Sequence, residues 1–230
     1  MILQFWYSHM TAAPPHALKP RKAPRQARSG ATVDAILEAT IQVLLSEGFR
    51  RLTTTRVAGR AGVSVGTMYQ YFPHKDALLY AVIRRYLDEV ADAVEGSCRR
   101  NLGQPLAVAS DALVAAYVDA KSAHAEASRA LYLVSTELDM ADLVNAVFKR
   151  FHDATVPLLA SVPDALFTDL DDIAFDLLAT ITGATRVAFE HDAGPVMLEQ
   201  FRRRLMMCQA FLRDAASGGS GPETKTTPKR

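Results

Sequence analysis

Apolar positions recur at helical spacing from residue 32 onward. The first such stripe is formed by Val33, Ile36, Leu37, Ile41, Leu44 and Leu45. A spacing of three and four positions places these side chains on one face of a helix, which they would bury in a core. Glycine commonly ends helices because it adopts the left-handed conformation readily, so Gly48 marks the end of this predicted first helix.

Two short helices are predicted next, joined by the tight turn "AGVS". A threonine N-cap precedes the helix that buries Val57, and a second glycine, Gly62, stops it. Ser64 caps the following helix, which Pro73 ends, because the residue before proline disfavours helical geometry. Val63 fills the angle between the two helices. Two short helices with this connection are typical of a helix-turn-helix.

Longer helices follow. The stretch "KDALLYAVIRRYLDEVADAVEGSCRR", residues 75–100, predicts a helix of six or more turns that leaves the small module. Further helical stretches are predicted at about 105–121, 125–138, 140–161, 168–191 and 195–214. No strand pattern occurs, so the fold class is all-α. The tail "SGGSGPETKTTPKR" is low in hydrophobicity and is expected to be disordered.

The third predicted helix has two different faces. Met68 and Phe72 lie four positions apart and point into the core. The outward positions are Val65, Gly66, Thr67, Tyr69 and Gln70. Hydroxyl groups can donate to phosphate oxygens, and a glutamine amide can pair with a base edge. This face therefore suits contact with DNA, whereas the alternative places its tyrosines at the edge of a core.

Charge is distributed unevenly. The whole chain carries a formal net charge of +1, yet residues 19–75 hold ten Lys and Arg against three acidic residues, a net +7. Residues 76–218 hold 13 basic and 21 acidic residues, a net −8. The amino-terminal part thus suits a polyanion and the remainder does not. The basic arm with Lys19, Arg21, Lys22, Arg25 and Arg28 is expected to add affinity for DNA without choosing a sequence.

Other function classes find little support in the sequence. Cys98 and Cys208 have no CxxC partner, and His124, His152 and His191 show no HExxH spacing, so we expect no metal or cofactor. G-x-S-x-G, Walker and GxGxxG motifs do not occur, so we do not expect an enzyme. No apolar run reaches the roughly 18 residues of a membrane span. A cytoplasmic, nucleoid-associated protein is expected. The opening "MILQFWYSHM" lacks the features of a signal peptide, with Met10 as an alternative start.

The module resembles a known family. Residues 36–82 are similar to the DNA-binding module of the TetR family of bacterial transcriptional regulators. The matching positions are Gly48-Phe49, Leu52-Thr53-Thr54, Val57-Ala58, Ala61-Gly62-Val63-Ser64, Gly66-Thr67, Tyr69, Tyr71-Phe72, Lys75 and Leu78. The resemblance covers about 47 of 230 residues. Beyond it, the chain resembles the family only in its all-helical layout.

The resemblance assigns roles to particular residues. It implies that Thr54 caps the second helix and reaches a phosphate, and that Thr67, Tyr69 and Lys75 anchor the DNA backbone. Base reading would fall to Val65, Gly66, Gln70 and Tyr71. Valine offers only a methyl contact to thymine, so specificity would depend on Gln70, Tyr71 and DNA shape. Gln70 could equally be solvated.

For the carboxyl-terminal part the resemblance implies a homodimer with a ligand cavity. Two apolar stripes are candidates for the dimer contact or, equally, for monomer core. The first contains Leu170, Ile173, Ala174, Leu177, Leu178, Ile181 and Ala188, with Gly183 and Ala184 permitting close approach; the second contains Met197, Phe201, Leu205, Cys208 and Leu212. The candidate ligand-binding residues for a small-molecule inducer are Tyr117, Phe148, Phe151 and His152.

The expected protein is a ligand-responsive transcriptional regulator, a repressor released from double-stranded operator DNA by an inducer. The expected units are a basic arm at 1–28, a DNA-binding domain at 29–75, a ligand-binding and dimerisation domain at 76–216, and a tail at 217–230. One alternative is a helical binding protein or enzyme with a vestigial helix-turn-helix. Another is an activator of the same family.

Overall fold

The computed structural model describes residues 27–134, 139–190 and 207–217. Within these ranges the regular structure is helical and no strand occurs, which confirms the predicted fold class. The arm up to residue 26 and the tail from residue 218 lie outside the described residues, as do Met197, Phe201 and Leu205 of the second predicted stripe.

The amino-terminal module contains three helices that lead into a fourth. Helix α1 spans Ala27–Glu47 and is followed by a 3-10 helix, Phe49–Arg51. Helix α2 spans Thr54–Ala61, α3 spans Val65–Tyr71, and α4 spans Lys75–Arg100. Helix α1 begins five residues before the predicted Thr32 and includes Arg28, which had been assigned to the arm. The sequence "ARSGA" has no large apolar residues at helical spacing. Once a helix has formed, however, one more turn adds to it at little cost in free energy.

The remaining helices form a larger body around α4. They are α5 at Leu106–Ala123, α6 at Ala125–Val134, α7 at Ala141–Ala160, α8 at Leu170–Glu190 and α9 at Met207–Ser217. Helix α4 packs against α1 at its amino-terminal side and against α5, α6 and α7 along its length. One continuous helix therefore joins the small module to the core of the body.

The predicted glycine stops and one predicted cap are confirmed. Gly48 and Gly62 have φ angles of 80° and 67° in the left-handed region. Ser64 Oγ accepts a hydrogen bond from Thr67 N at 3.0 Å, as an N-cap should. The cap of α2 was assigned to the wrong threonine. Thr53 Oγ1 accepts from Arg56 N at 3.3 Å, and Thr54 is the first helical residue.

Arg150 ties α7 to the outer face of α4. Its guanidinium group donates to Glu95 at 2.7 Å, to Asp92 at 2.6 Å and to Asp88 at 3.3 Å. These carboxylates follow one another along α4 at spacings of three and four residues, so they lie on one helix face. Glu95 and Asp92 raise the pKa of Arg150, with the hydrogen bond to Glu95 as the largest cause.

The apolar stripe of α8 forms monomer core. Ile173, Ala174, Leu177, Leu178 and Ile181 are all buried within the single chain, and α8 packs on α7. In the second stripe, Cys208 and Leu212 are also buried within the chain. Of the two readings left open by the pattern, core is correct for these residues. A contact with a second copy would need a different face of α8 and α9.

Candidate DNA-binding surface and internal cavity

Helix α3 is held in the module by its inner face. Met68 and Phe72 are 0% and 1% exposed, which confirms their predicted burial. Tyr71 is 8% exposed, and its ring centroid lies 6.4 Å from that of Phe72. Burial of this ring disfavours a contact with a base edge, and the assignment of Tyr71 to base reading stays an untested prediction. Without Tyr71, base reading by α3 would rest on fewer side chains than the resemblance implied.

The outer face of α3 is open to solvent. Val65 and Tyr69 are 40% and 45% exposed, and Gly66 and Gln70 are also exposed. A Cβ atom placed on Gly66 would meet only Ser64 Oγ, at 3.7 Å, which is an ordinary contact. The interior of the protein therefore does not require glycine at this position. A close approach from outside the chain would require it.

A buried hydroxyl group orients the exposed tyrosine. Thr54 Oγ1 lies on α2 and donates to Tyr69 Oη on α3 at 3.2 Å. Since Tyr69 accepts this bond, its own O–H remains able to donate to an acceptor outside the chain. Thr54 is 9% exposed. It is therefore placed to position Tyr69, and a direct contact of Thr54 with phosphate stays a prediction.

Two further predicted contact residues are oriented by neighbours. Ser64 Oγ and Thr67 Oγ1 lie 2.8 Å apart at the start of α3, so the Thr67 hydroxyl shares the cap interaction. Lys75 begins α4, as predicted, and its Nζ lies 4.0 Å from the centroid of the Phe49 ring. A cation over an aromatic face is attracted by the ring quadrupole. That contact fixes the Lys75 side chain beside the loop between α1 and α2.

The arginines of the module fall into two groups. Arg56 pairs with Glu47, and Arg60 donates to Gln42 at 2.8 Å, so both fasten α2 to α1. Arg50 and Arg51 lie in the 3-10 helix and are exposed, adjoining the Phe49 ring that holds Lys75. All four contribute to the basic excess of the sequence, which does not distinguish the two groups. Their separation depends on which carboxylates and amides the fold brings near.

The body encloses a cavity of about 320 Å³. Its lining is contributed by α4 through α8 and consists of Leu87, Tyr117, Lys121, Tyr132, Val144, Val147, Phe148, Phe151, Phe175, Ala179, Thr182, Gly183 and Arg186. Aromatic rings meet edge to face on its walls, Tyr117 with Phe151 at 5.6 Å and Phe148 with Phe175 at 5.5 Å. A concave, mostly apolar cavity with a few polar groups is the usual form of a small-molecule site.

Lys121 is the unusual member of this lining. It is 2% exposed, and its Nζ donates to Tyr132 Oη at 2.9 Å. Burial lowers the pKa of Lys121 from 10.5 to about 7, because the charged amine is removed from water. Burial also raises the pKa of Tyr132, to about 12. Near neutral pH the cavity therefore contains a group that can exist with or without its charge.

Three of the four candidate ligand-binding residues line the cavity, namely Tyr117, Phe148 and Phe151. His152 does not. It is 5% exposed and its Nε2 lies 3.1 Å from the backbone oxygen of Asp171, so it joins α7 to the start of α8. Lys121 was not among the predicted residues, because a lysine on an alanine-rich helix normally indicates a solvated face.

The described part of the chain contains neither a candidate metal site nor a candidate membrane span. No group of three or more His, Cys, Asp or Glu side chains there could hold a metal ion. Among the helices of these same ranges, none is both long enough and apolar enough to span a bilayer.

The fold and its exposed helix define a class: an all-helical protein whose basic amino-terminal helix-turn-helix is joined by one long helix to a larger helical body with a cavity. The family profile described as "Bacterial regulatory proteins, tetR family" matches residues 36–82. The profile described as "Tetracyclin repressor-like, C-terminal domain" matches residues 105–212. The chain belongs to the TetR family. Members are regulators of transcription, which are generally not enzymes.

Curated relatives are similar over a limited length. The chain is 39% identical over 74 residues to the nucleoid occlusion factor SlmA of Haemophilus ducreyi, covering 32% of this chain and 37% of that protein. It is 39% identical over 59 residues to the HTH-type transcriptional regulator BetI 1 of Chromohalobacter salexigens, covering 26% and 29%. The chain thus spans about a third of the length of the curated relatives it matches.

Solved structures are similar over most of the chain. The fatty acid degradation regulator FadR of Bacillus halodurans aligns with a TM-score of 0.62 and 18% identity, covering 83% of this chain and 99% of that one. A TetR-family transcriptional regulator of Streptomyces coelicolor aligns with a TM-score of 0.54 and 22% identity, covering 79% and 99%. At these identities the likeness concerns the fold alone.

Proposed function

We propose that the protein is a dimeric repressor that binds double-stranded operator DNA and is released from it by a small molecule. The observation that carries the proposal is the outer face of α3. Val65, Tyr69 and Gln70 are exposed on a helix whose other face is fixed in the core by Met68 and Phe72. A rigid short helix with an open polar face in a basic module fits the major groove.

The proposed contacts divide into positioning and reading. Tyr69, held by Thr54, donates to a phosphate oxygen, and Lys75 and Thr67 contact the backbone beside it. Gln70 reads a base edge through its amide, and Val65 contacts a thymine methyl group. Gly66 lets the backbone of α3 approach the groove. The arm before residue 27 adds sequence-independent affinity.

A second copy is required because one short reading helix covers only a few base pairs. The proposed dimer contact uses faces of α8 and α9 that the monomer leaves exposed. Val187 on α8 is 56% exposed, and Met207 and Phe211 on α9 are 69% and 39% exposed. Ala184 lies on the same face of α8 and is small enough for close helix approach. The dimer would then place two α3 helices in successive major grooves, about 34 to 36 Å apart.

The release step would pass through α4. Leu87 on α4 lines the cavity, and Lys75, twelve residues earlier on the same helix, belongs to the proposed DNA surface. At about 1.5 Å per residue these positions are roughly 18 Å apart along one continuous helix. A ligand that displaces α4 at Leu87 changes the spacing of the two α3 helices. A coupling free energy of about 1 to 3 kcal/mol is enough for a useful response.

The test is a gel shift with DNA from upstream of the protein's own gene. Tyr69→Phe and Lys75→Ala should each weaken binding about tenfold or more, because each removes a phosphate contact. Lys149→Ala on α7 is the matched control, since Lys149 is an exposed lysine of the body paired with Asp153. Equal binding to unrelated DNA of the same length, or equal binding by all variants, would refute the proposal.

A further inference from the structure

The cavity contains a buried cation with no acidic partner among the residues that the structure describes. Lys121 Nζ lies 5.1, 4.8 and 5.6 Å from the ring centroids of Tyr86, Tyr132 and Phe189. Its hydrogen bond goes to a neutral phenol, Tyr132 Oη. A buried amine is normally paired with a carboxylate, because desolvation of an unpaired charge is costly.

The lining of the cavity is positively charged. Among the lining residues that the structure describes, Lys121 and Arg186 are basic and none is acidic. Arg186 Nε donates to Glu190 at 2.7 Å, which lies one turn further along α8 and outside the lining. The other walls are apolar and aromatic, with Val147, Phe148 and Phe175 on α7 and α8. One end of the cavity therefore attracts an anion and the other accommodates a hydrocarbon or aromatic body.

We propose that the cavity binds an amphipathic organic anion whose single acidic group pairs with the amine of Lys121 and whose apolar body packs among Val147, Phe148 and Phe175. This proposal rests on the ligand-binding part of the proposed function and names the chemical class of its ligand. An acidic head group would supply the partner that Lys121 lacks. A cationic ligand would be repelled by Lys121 and Arg186, and a neutral one would supply no opposite charge to the amine.

The arrangement also connects the ligand to α4. Tyr86 on α4 faces Lys121, and its Oη lies 2.5 Å from Ser128 Oγ. Ser128 Oγ in turn donates to the backbone oxygen of Lys121 at 2.9 Å. An anion that displaces the Lys121 side chain would therefore act where hydrogen bonds join α4, α5 and α6.

Binding of the anion should take up a proton. The titratable groups around Lys121 are Tyr86 from α4, Tyr117 on its own helix, Tyr132 from α6 and Arg186 from α8, whose carboxylate partner Glu190 lies outside the lining; α7 contributes apolar side chains. The tyrosines stay neutral in this range, because burial raises their pKa values. Since the pKa of Lys121 is about 7, affinity for an anion should fall above pH 7, by up to about tenfold for each pH unit.

The experiment compares two pairs of probes that differ in the acidic group. Decanoate is matched with 1-decanol by calorimetry, and 1-anilinonaphthalene-8-sulfonate is matched with N-phenyl-1-naphthylamine by fluorescence, with the full-length protein. We expect at least one anion to bind about tenfold or more tightly than its neutral partner. Lys121→Met should remove that preference and the pH dependence, whereas Lys149→Met, which changes an exposed lysine paired with Asp153, should leave both unchanged.

Several outcomes would overturn the ligand class. They are equal binding of anion and neutral partner, an unchanged preference in Lys121→Met, or no measurable binding of either anion. Decyltrimethylammonium that binds more tightly than decanoate would overturn it too. None of these results touches the gel shift with upstream DNA. Failure of that gel shift alone would refute the DNA-binding function while the anion site stood.

Discussion

The helix-turn-helix module and the helical body place polar groups in opposite ways. In the module, Tyr69 and Gln70 are on the surface, and the space beneath them is filled by Met68 and Phe72. In the body, Lys121 is turned inward to line a cavity of about 320 Å³. One region thus presents a fixed polar surface, and the other places a basic side chain in the wall of a cavity. Changes at each should therefore affect different properties.

The largest expected effect concerns the inward-facing lysine. Lys121→Met should raise the free energy of unfolding at pH 7 by on the order of 4 kcal/mol, because the pKa of Lys121 falls from 10.5 to about 7 on folding. Below pH 7 the amine is protonated in both states and the full cost of burial is present. Between pH 7 and 10.5 it is neutral only when folded, so the cost declines with rising pH and disappears above 10.5.

Urea denaturation near pH 7 and again near about pH 9 measures this difference between variant and wild type. The gain should be smaller at the higher pH. A gain that does not change with pH would show that packing of methionine, and not relief of a buried charge, is responsible.

The next effect concerns Met68, the buried side chain that fixes α3 in the module. Met68→Ala should lower the free energy of unfolding by about 3 kcal/mol, because it leaves a cavity under α3 at a position that is 0% exposed. Val65→Ala on the same helix is the control. Since Val65 is 40% exposed, its truncation should change stability by less than about 0.5 kcal/mol. Chemical denaturation of both variants measures the contrast, and similar losses would contradict the two-faced assignment of α3.

A smaller effect is expected at Arg150, whose hydrogen bonds join α7 to α4. Arg150→Met should cost about 1 to 2 kcal/mol, because it removes charge-assisted hydrogen bonds to Glu95 and Asp92 and leaves neighbouring carboxylates on one helix face. Lys149→Met, one residue earlier, removes an exposed pair with Asp153 and should cost about 0.5 kcal/mol or less. Denaturation at low and high salt compares the two. If the costs are equal, Arg150 is an ordinary surface ion pair.

The smallest change in stability is expected at Gly66. Gly66→Ala should stabilise the protein by up to about 1 kcal/mol, because alanine is the better helix former and its Cβ meets only Ser64 Oγ at 3.7 Å. The same variant should weaken operator binding about tenfold or more if α3 approaches DNA closely. Gly59→Ala on α2, where a Cβ meets nothing within 4 Å, should stabilise without that loss. Thermal denaturation and gel shifts of both variants measure these effects, and equal DNA binding by both would argue against a close approach at Gly66.

Local signals in the module predicted its structure well. Gly48, Gly62, Ser64 and Lys75 lie where the sequence placed them, because caps and left-handed turns are decided by a few neighbouring residues. The error at the cap of α2 is only one residue in position, but it changes the role of the threonine. The cap role expected of Thr54 belongs to Thr53, and only the packing of α2 on α3 shows that the Thr54 hydroxyl meets Tyr69.

Signals in the body were weaker. The stripe of α8 predicted a buried face, but a stripe is the same whether it faces its own chain or a second copy. Packing on α7 assigned Ile173 and Leu177 to the monomer core. Tyr117, Phe148 and Phe151 do line the cavity. Aromatic side chains are common in the walls of small-molecule sites, so their residue type alone suggested this position. His152 lies outside the cavity lining, because its ring contacts the backbone of Asp171 and only the packing of α7 on α8 shows that contact.

The sequence by itself determined the helical class, the helix-turn-helix and the family resemblance, because these depend on periodicity and on short-range backbone chemistry. The tertiary structure alone decided the solvent exposure of each polar group. Tyr71 is packed beside Phe72, and Lys121 lies under Tyr86, Tyr132 and Phe189. Burial and its electrostatic cost arise from contacts between side chains that are distant in sequence. The order of residues along the chain therefore does not predict which polar groups are buried.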